Sequence, residues 1–137
     1  MTTQKKFSYK SSADAALNIA SKVIELCAVK KAAHMGGALS ITDFLSVYYS
    51  FFHSHDSSSL FYSKGHACTA LYAALGHFGF FDLKDLDSYS DNGSIFTSHV
   101  SHHVPGVELS TGSLGHALSV ASGVSYAKKI AGSNHRC

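Results

Sequence analysis

The sequence predicts an α/β domain in which helices dominate, and three observations carry that expectation. Apolar residues recur at helical spacing in long stretches opening near Ala13, Thr42, Ala67 and Leu114. One short apolar run, Leu60-Phe61-Tyr62, is flanked by serines and reads as a buried strand. Glycine-bearing breaks separate these elements, two of them with an adjoining or neighbouring histidine.

Residues 1–10 read as a lead-in, and 11–137 as the domain. Ser11 or Ser12 is placed to cap a first helix, with Asp14 at the positive end of its dipole. Ala13, Ala16, Leu17, Ala20, Val23, Ile24 and Cys27 then form its apolar stripe, to about Lys31. His34-Met35-Gly36-Gly37 should break it, because adjacent glycines favour a loop. Ser40 or Thr42 can cap a second helix with Phe44, Leu45, Tyr48, Tyr49 and Phe52 on its apolar side, fading in the polar run His53 to Ser59. After the strand, Ala67 to Phe78 is a helix with Ala67, Leu71, Ala74, Leu75 and Phe78 on one side and Gly79 as its stop. Leu83 to Tyr89 is a short helix, Asp91-Asn92-Gly93 a turn, and 94–113 irregular. Leu114 to Ile130 is the last helix, rich in small residues, with Gly132 at its end.

Bulk properties narrow the function. A chain of 137 residues, 45% hydrophobic, fits one folded domain. A formal charge of +2 with scattered Lys and Arg gives no basic stripe, so no nucleic-acid partner is expected. No apolar stretch approaches the roughly 20 residues of a spanning helix, so no membrane partner is expected either. Three widely spaced cysteines and a charged N-terminus without an apolar h-region point to a reducing compartment and a cytoplasmic location. No nucleophile elbow, P-loop, dinucleotide fingerprint or H-E-x-x-H is present.

Ten histidines are the compositional oddity. Three segments combine small residues with possible ligand contacts: Ala33-His34-Met35-Gly36-Gly37, Ser63-Lys64-Gly65-His66-Ala67 and Ser110-Thr111-Gly112-Ser113-Leu114-Gly115. In the second, a strand runs through Gly65 into a helix N-terminus. Open N–H groups there favour anions such as phosphate, and His66 adds a donor; the plain alternative is a turn with a surface histidine. The third could lie against a planar ligand or be a tight connection. His99, His102 and His103 form an H-x-x-H-H cluster with no full metal-ligand set, and no metal residue is assigned. His53 and His55 read as solvated, and His77 as a helix-end cation.

Taken in order and spacing, these segments resemble the opening of the transketolase family. They match its first histidine-glycine loop, its Ser-Lys/Asn-Gly-His-Ala turn and its Thr-Gly-x-Leu-Gly loop. Between the last two, Gly93-Ser94 through His99 to Pro105-Gly106-Val107-Glu108 resembles the family's Gly-Ser…Gly-His-Pro…Pro-Gly-Val-Glu. The likeness runs from about Ala15 to about Lys129 and is strongest to split transketolases, in which two chains share the work. Ser98-His99-Val100 departs from Gly-His-Pro, and Ala117 replaces a usual glycine.

The resemblance implies a thiamine-diphosphate-binding fold, a parallel sheet flanked by helices, of which this chain carries the mostly helical front part. It implies that His66 contacts the cofactor's diphosphate and that Gly112, Ser113 and Leu114 pack near its rings. His34 and His99 become the catalytic candidates at the substrate end. It also implies Mg²⁺, whose Gly-Asp-Gly motif and Asn have no counterpart here, so the metal ligands are expected outside this chain. The catalytic glutamate of the family sits on another domain. A fragment or shortened form is therefore expected, binding thiamine diphosphate weakly and inactive alone. The expected partner is a C-terminal transketolase-like subunit in an oligomer, with two-carbon ketol transfer between sugars, such as a sugar phosphate or related ketose in pentose-phosphate-type carbohydrate metabolism. The alternative is a non-catalytic interaction module derived from that fold.

Overall fold

The computed structural model describes residues 9–53 and 57–137; the reading of His55 as solvated lies outside the described residues. Helix α1 (Tyr9–Val29) is followed by α2 (Met35–Leu39), α3 (Thr42–Val47), α4 (Cys68–His77) and α5 (His116–Ile130). A π-helical turn, Tyr48–Phe52, prolongs α3, and 3₁₀ turns cover Gly65–Ala67 and Leu83–Ser88. The π turn is closed by the His53 amide donating to the Tyr48 carbonyl at 2.8 Å.

Helix α4 is the centre of the core. Every residue from Cys68 to Gly76 is buried, so the single apolar side expected of it is replaced by burial all round. Its end follows the sequence. Gly79 takes φ +84°, the Gly79 amide donates to the Gly76 carbonyl, and the Phe80 amide donates to the Leu75 carbonyl. That pair of bonds is a Schellman motif, which a left-handed glycine makes cheap. Gly132, at φ +70°, ends α5 in the same way, with Ser133 reaching back to Lys128.

Helices α1 and α3 flank α4. Helix α1 presents Ser12, Ala15, Ala16, Ile19, Val23 and Leu26 to the core. The expected stripe is therefore rotated: Leu17 and Ile24 lie outside it, 68% and 50% exposed. Small residues allow the close approach. The Ser46 hydroxyl of α3 donates to the Ser12 carbonyl, and the two serine hydroxyls lie 3.1 Å apart in the core. The helix also starts before Ser11 and Ser12, so neither serine caps it. Ser40 and Thr42 do not cap α3 either; Ile41 occupies that position, and the Thr42 hydroxyl donates back to the Leu39 carbonyl at 3.0 Å.

Two further expectations are corrected. Gly36 and Gly37 do not form a loop: they lie inside α2, and the break falls at 30–34, where Lys31 and His34 take positive φ. Leu60-Phe61-Tyr62 forms no strand, since a strand needs a hydrogen-bonded neighbour. Among the described residues the only pairings are isolated bridges, Ser58 with Arg136 in the parallel sense and Val100 with Thr111 in the antiparallel sense. The mostly helical character is as expected.

The rotated stripe has a measurable consequence. Ile19→Ala, at a fully buried position, should cost about 2–5 kcal/mol in chemical denaturation, while Leu17→Ala should stay within about 0.5 kcal/mol.

Candidate functional site

The site forms where three chain segments meet ahead of α4. Gly65 is pressed against the loop at 111–112: a Cβ at this position would lie 2.3 Å from the Thr111 carbonyl oxygen and 3.2 Å from the Gly112 Cα. No side chain fits there, which explains the glycine. The Val100 amide donates to the Gly65 carbonyl at 3.2 Å, and the Thr111 amide donates to the Val100 carbonyl at 3.2 Å. Proline at position 100 would have no amide to give, so Val100 supplies a backbone tie that a Gly-His-Pro sequence lacks.

This stitching gathers the histidines. The His34 and His66 rings meet edge to face with centroids 5.1 Å apart. Gly37 faces the same ring, where an added Cβ would sit 3.2 Å from His66 Nε2. The glycine in α2 thus serves close approach rather than a loop. His99 lies beside Gly112, its Cδ2 3.5 Å from where a Cβ would stand. Ser113 and Leu114 continue that loop toward α5 and are exposed. Of the sequence candidates, His34, His66, His99 and Gly112 are brought together, and Ser113 and Leu114 follow directly in the chain.

The surrounding charge is positive. Partial burial, then His34, Lys64 and His99, hold the His66 imidazole below its ordinary value of about 6.5. His66 is consequently a neutral donor and acceptor at physiological pH, with the Lys64 ammonium nearby.

His102, His103 and His53 make contacts of their own. His102 Nδ1 is 2.6 Å from the Ser110 hydroxyl, and its ring lies 4.2 Å from that of His103. His53 is not solvated as expected; it packs against Tyr48, Tyr49 and Phe80 at 5.9, 5.2 and 5.4 Å. Among the described residues no group of three His, Cys, Asp or Glu is arranged to hold a metal ion.

Residues 13–136 match the family model described as transketolase, thiamine diphosphate binding domain. The chain belongs to the transketolase family. It is 34% identical over 117 residues to one of the subunits of the apulose-4-phosphate transketolase of Phocaeicola vulgatus, covering 80% of this chain and 42% of that protein. It is 36% identical over 106 residues to a 6-deoxy-6-sulfo-D-fructose transketolase subunit of a Clostridium species, covering 71% and 38%. A Mycobacterium bovis transketolase is 32% identical over 121 residues, covering 79% of this chain and 17% of that protein. This transketolase-family chain thus spans about two fifths of the length of its split-type relatives.

Sequence reading missed the residues that hold this site in place. The Tyr72 hydroxyl of α4 donates to the His99 carbonyl at 2.8 Å and accepts from the Ser101 amide at 3.1 Å. The Ser63 hydroxyl accepts from the Gly115 and Ala117 amides at 2.9 and 3.3 Å, capping α5 from another segment. Lys64 donates to the Gly37 carbonyl at 2.8 Å. Each acts across the chain, and only the positions of Ser63 and Lys64 next to Gly65-His66 hinted at them.

Two outcomes follow from this geometry. Gly65→Ala should force the 65 and 111 segments apart and cost about 1–3 kcal/mol in thermal or chemical unfolding, with the His66 and His99 ring signals both shifting in NMR spectra. For His66 the folded state disfavours the proton, so its stabilising share is complete above about pH 6.5 and is lost as pH falls below that value. Denaturation of wild type and His66→Gln across pH 5 to 8 should show the variant gaining on wild type toward the acid end.

Proposed function

We propose that the chain is the thiamine-diphosphate-binding N-terminal part of a split-type transketolase, transferring a two-carbon ketol unit between sugars together with a second subunit. The observation that carries this reading is the convergence of His34, His66 and His99 on the Gly65–Thr111 contact. The donor set fits a diphosphate: a helix-leading turn, a neutral imidazole, and a lysine rather than a carboxylate beside it. The glycines at 37, 65 and 112 keep side chains out of the space a planar ligand needs.

Bound thiamine diphosphate supplies the carbanion-stabilising chemistry of the reaction. The protein's share is positional. His66 would donate to a phosphoryl oxygen of the cofactor's diphosphate. Gly112, Ser113 and Leu114 would pack near its rings. His34 and His99 would stand at the sugar end, where imidazoles can hold hydroxyls and move protons. Mg²⁺ would take its ligands from outside the described residues of this chain. The three free cysteines, Cys27, Cys68 and Cys137, suit a reducing compartment.

A second chain belongs to this reading, because several of the similar proteins are named as single subunits of a transketolase. Helix α5 is also suited to being covered: only Ala117 is buried on it, while Leu118, Tyr126 and Ile130 are about 70% exposed.

Titrating the labelled full chain with thiamine diphosphate and Mg²⁺ tests the site. Weak binding is expected, with shifts centred on His66 and the 112–114 amides and abolished by His66→Ala. Tight binding and ketol transfer should appear only after a C-terminal transketolase subunit is added. Shifts confined to other surfaces would overturn the assignment.

A further inference from the structure

We propose that Lys64 is a positioning residue: it clamps the C-terminal end of α2 and thereby sets the spacing between the His34 and His66 rings. The last carbonyls of α2 need partners that the helix itself cannot give. Three of them are met locally. The Ser40 amide donates to the Gly36 carbonyl, the Ile41 amide to that of Ala38, and the Thr42 hydroxyl to that of Leu39. The Gly37 carbonyl accepts from the Ser40 hydroxyl at 3.0 Å and from Lys64 Nζ at 2.8 Å. Lys64 Nζ donates in addition to the Ser40 hydroxyl at 2.7 Å. Of these donors Lys64 alone comes from outside the 35–42 stretch.

The consequence runs straight to the site. Gly37 is the residue whose Cα faces His66 Nε2, and His34 stands at the N-cap of the same short helix in a left-handed conformation, φ 69°. A helix of five residues holds no position by itself. A cationic hydrogen bond to its free carbonyl end is favourable both as a bond and toward its dipole. Lys64 also immediately precedes Gly65 and His66. One side chain therefore ties α2 to the turn that carries the second ring, and the edge-to-face contact of the two imidazoles follows. His66 is faced by His34 from α2, by Lys64 from its own segment and by His99 from the 94–113 loop. The importance of this clamp for ligand binding rests on the diphosphate reading above, but the clamp is separable from it.

The experiment compares Lys64→Met and Lys64→Arg in the isotope-labelled full chain. Two readouts need no ligand: the cross-relaxation between the His34 and His66 rings, and the titration of His66. With Lys64→Met the ring contact should be lost and the His66 titration should move upward, since a like charge is removed. Lys64→Arg, still a cationic donor, should restore both. Unchanged ring contact and titration in Lys64→Met would overturn the proposal, even if melting temperature fell. Should Lys64→Met lose its helical signal, Ser40→Ala takes its place, removing one of the two anchors of Nζ; a weakened ring contact supports the clamp and an unaltered one refutes it. Inorganic pyrophosphate then serves as the probe. Its affinity should fall about tenfold or more in Lys64→Met, the scale of one charge-assisted hydrogen bond, and much less in the exposed-site control Lys84→Met. If wild type does not bind pyrophosphate, the diphosphate reading fails, and the ring contact and titration still decide the role of Lys64.

Discussion

The close approach of Gly65 to the Thr111 carbonyl is the constraint on which the site depends. The two segments are far apart in sequence, and a single methyl group between them would overlap backbone. Because the contact is made by main chain, its geometry is set by two chain directions rather than by rotamers. The amide of Val100 closes on one side of it and the amide of Thr111 on the other. The 3₁₀ turn at Gly65 and two stretches of the 94–113 loop are thereby held to one another as a short ladder would hold them. His66, His99 and Gly112 inherit their relative positions from that arrangement.

Helix α4 gives this junction something rigid to stand on. It is buried on all sides, and the 3₁₀ turn of Gly65–Ala67 leads directly into it. The Tyr62 hydroxyl donates to the Ala67 carbonyl at 3.1 Å, and Tyr72 reaches from the helix to the His99 backbone. Both tyrosines are buried, and desolvation drives both phenols well above their ordinary range, so each stays a neutral hydrogen-bonding group. Polar atoms in the core thus orient the loop that carries His99. At the far end Gly106, with φ +88°, packs against Leu75 and Phe80, where a side chain would collide. Loop and helix therefore support each other at both ends of α4.

Charge is distributed with the same economy. The carboxylates of Asp87 and Asp91 are engaged by Lys22 at 3.5 Å and Lys30 at 2.8 Å, which tie α1 to the region after α4. Such exposed pairs add little stability. The groups that act on His66 are by contrast all basic. This is the character on which the proposed anionic ligand rests, and a neutral imidazole there can accept a proton or donate a hydrogen bond.

Much of this protein was legible in the order of its residues. Gly79 and Gly132 announced helix ends because a left-handed residue after a helix is a local requirement. The Asp91-Asn92-Gly93 turn closes as its composition demands, with Ser94 donating to the Asp91 carbonyl. The histidine-glycine segments and their spacing pointed to the family, which the match across 13–136 bears out. What the sequence left open was every question of which neighbour a residue meets. Leu17 and Ile24 carry the same apolar signal as Ile19 and Val23, and only packing against α3 and α4 decides which face is buried. Gly36-Gly37 has the composition of a loop, yet it is helical because Gly37 must lie against His66. Leu60-Phe61-Tyr62 has the composition of a strand, yet pairing is a property of two segments and not of one. Local preferences, then, were decided by the chain's own residues, while the burial of one face, the bare approach at Gly65 and the clamp of Lys64 on α2 are long-range contacts that exist only once the tertiary structure has formed.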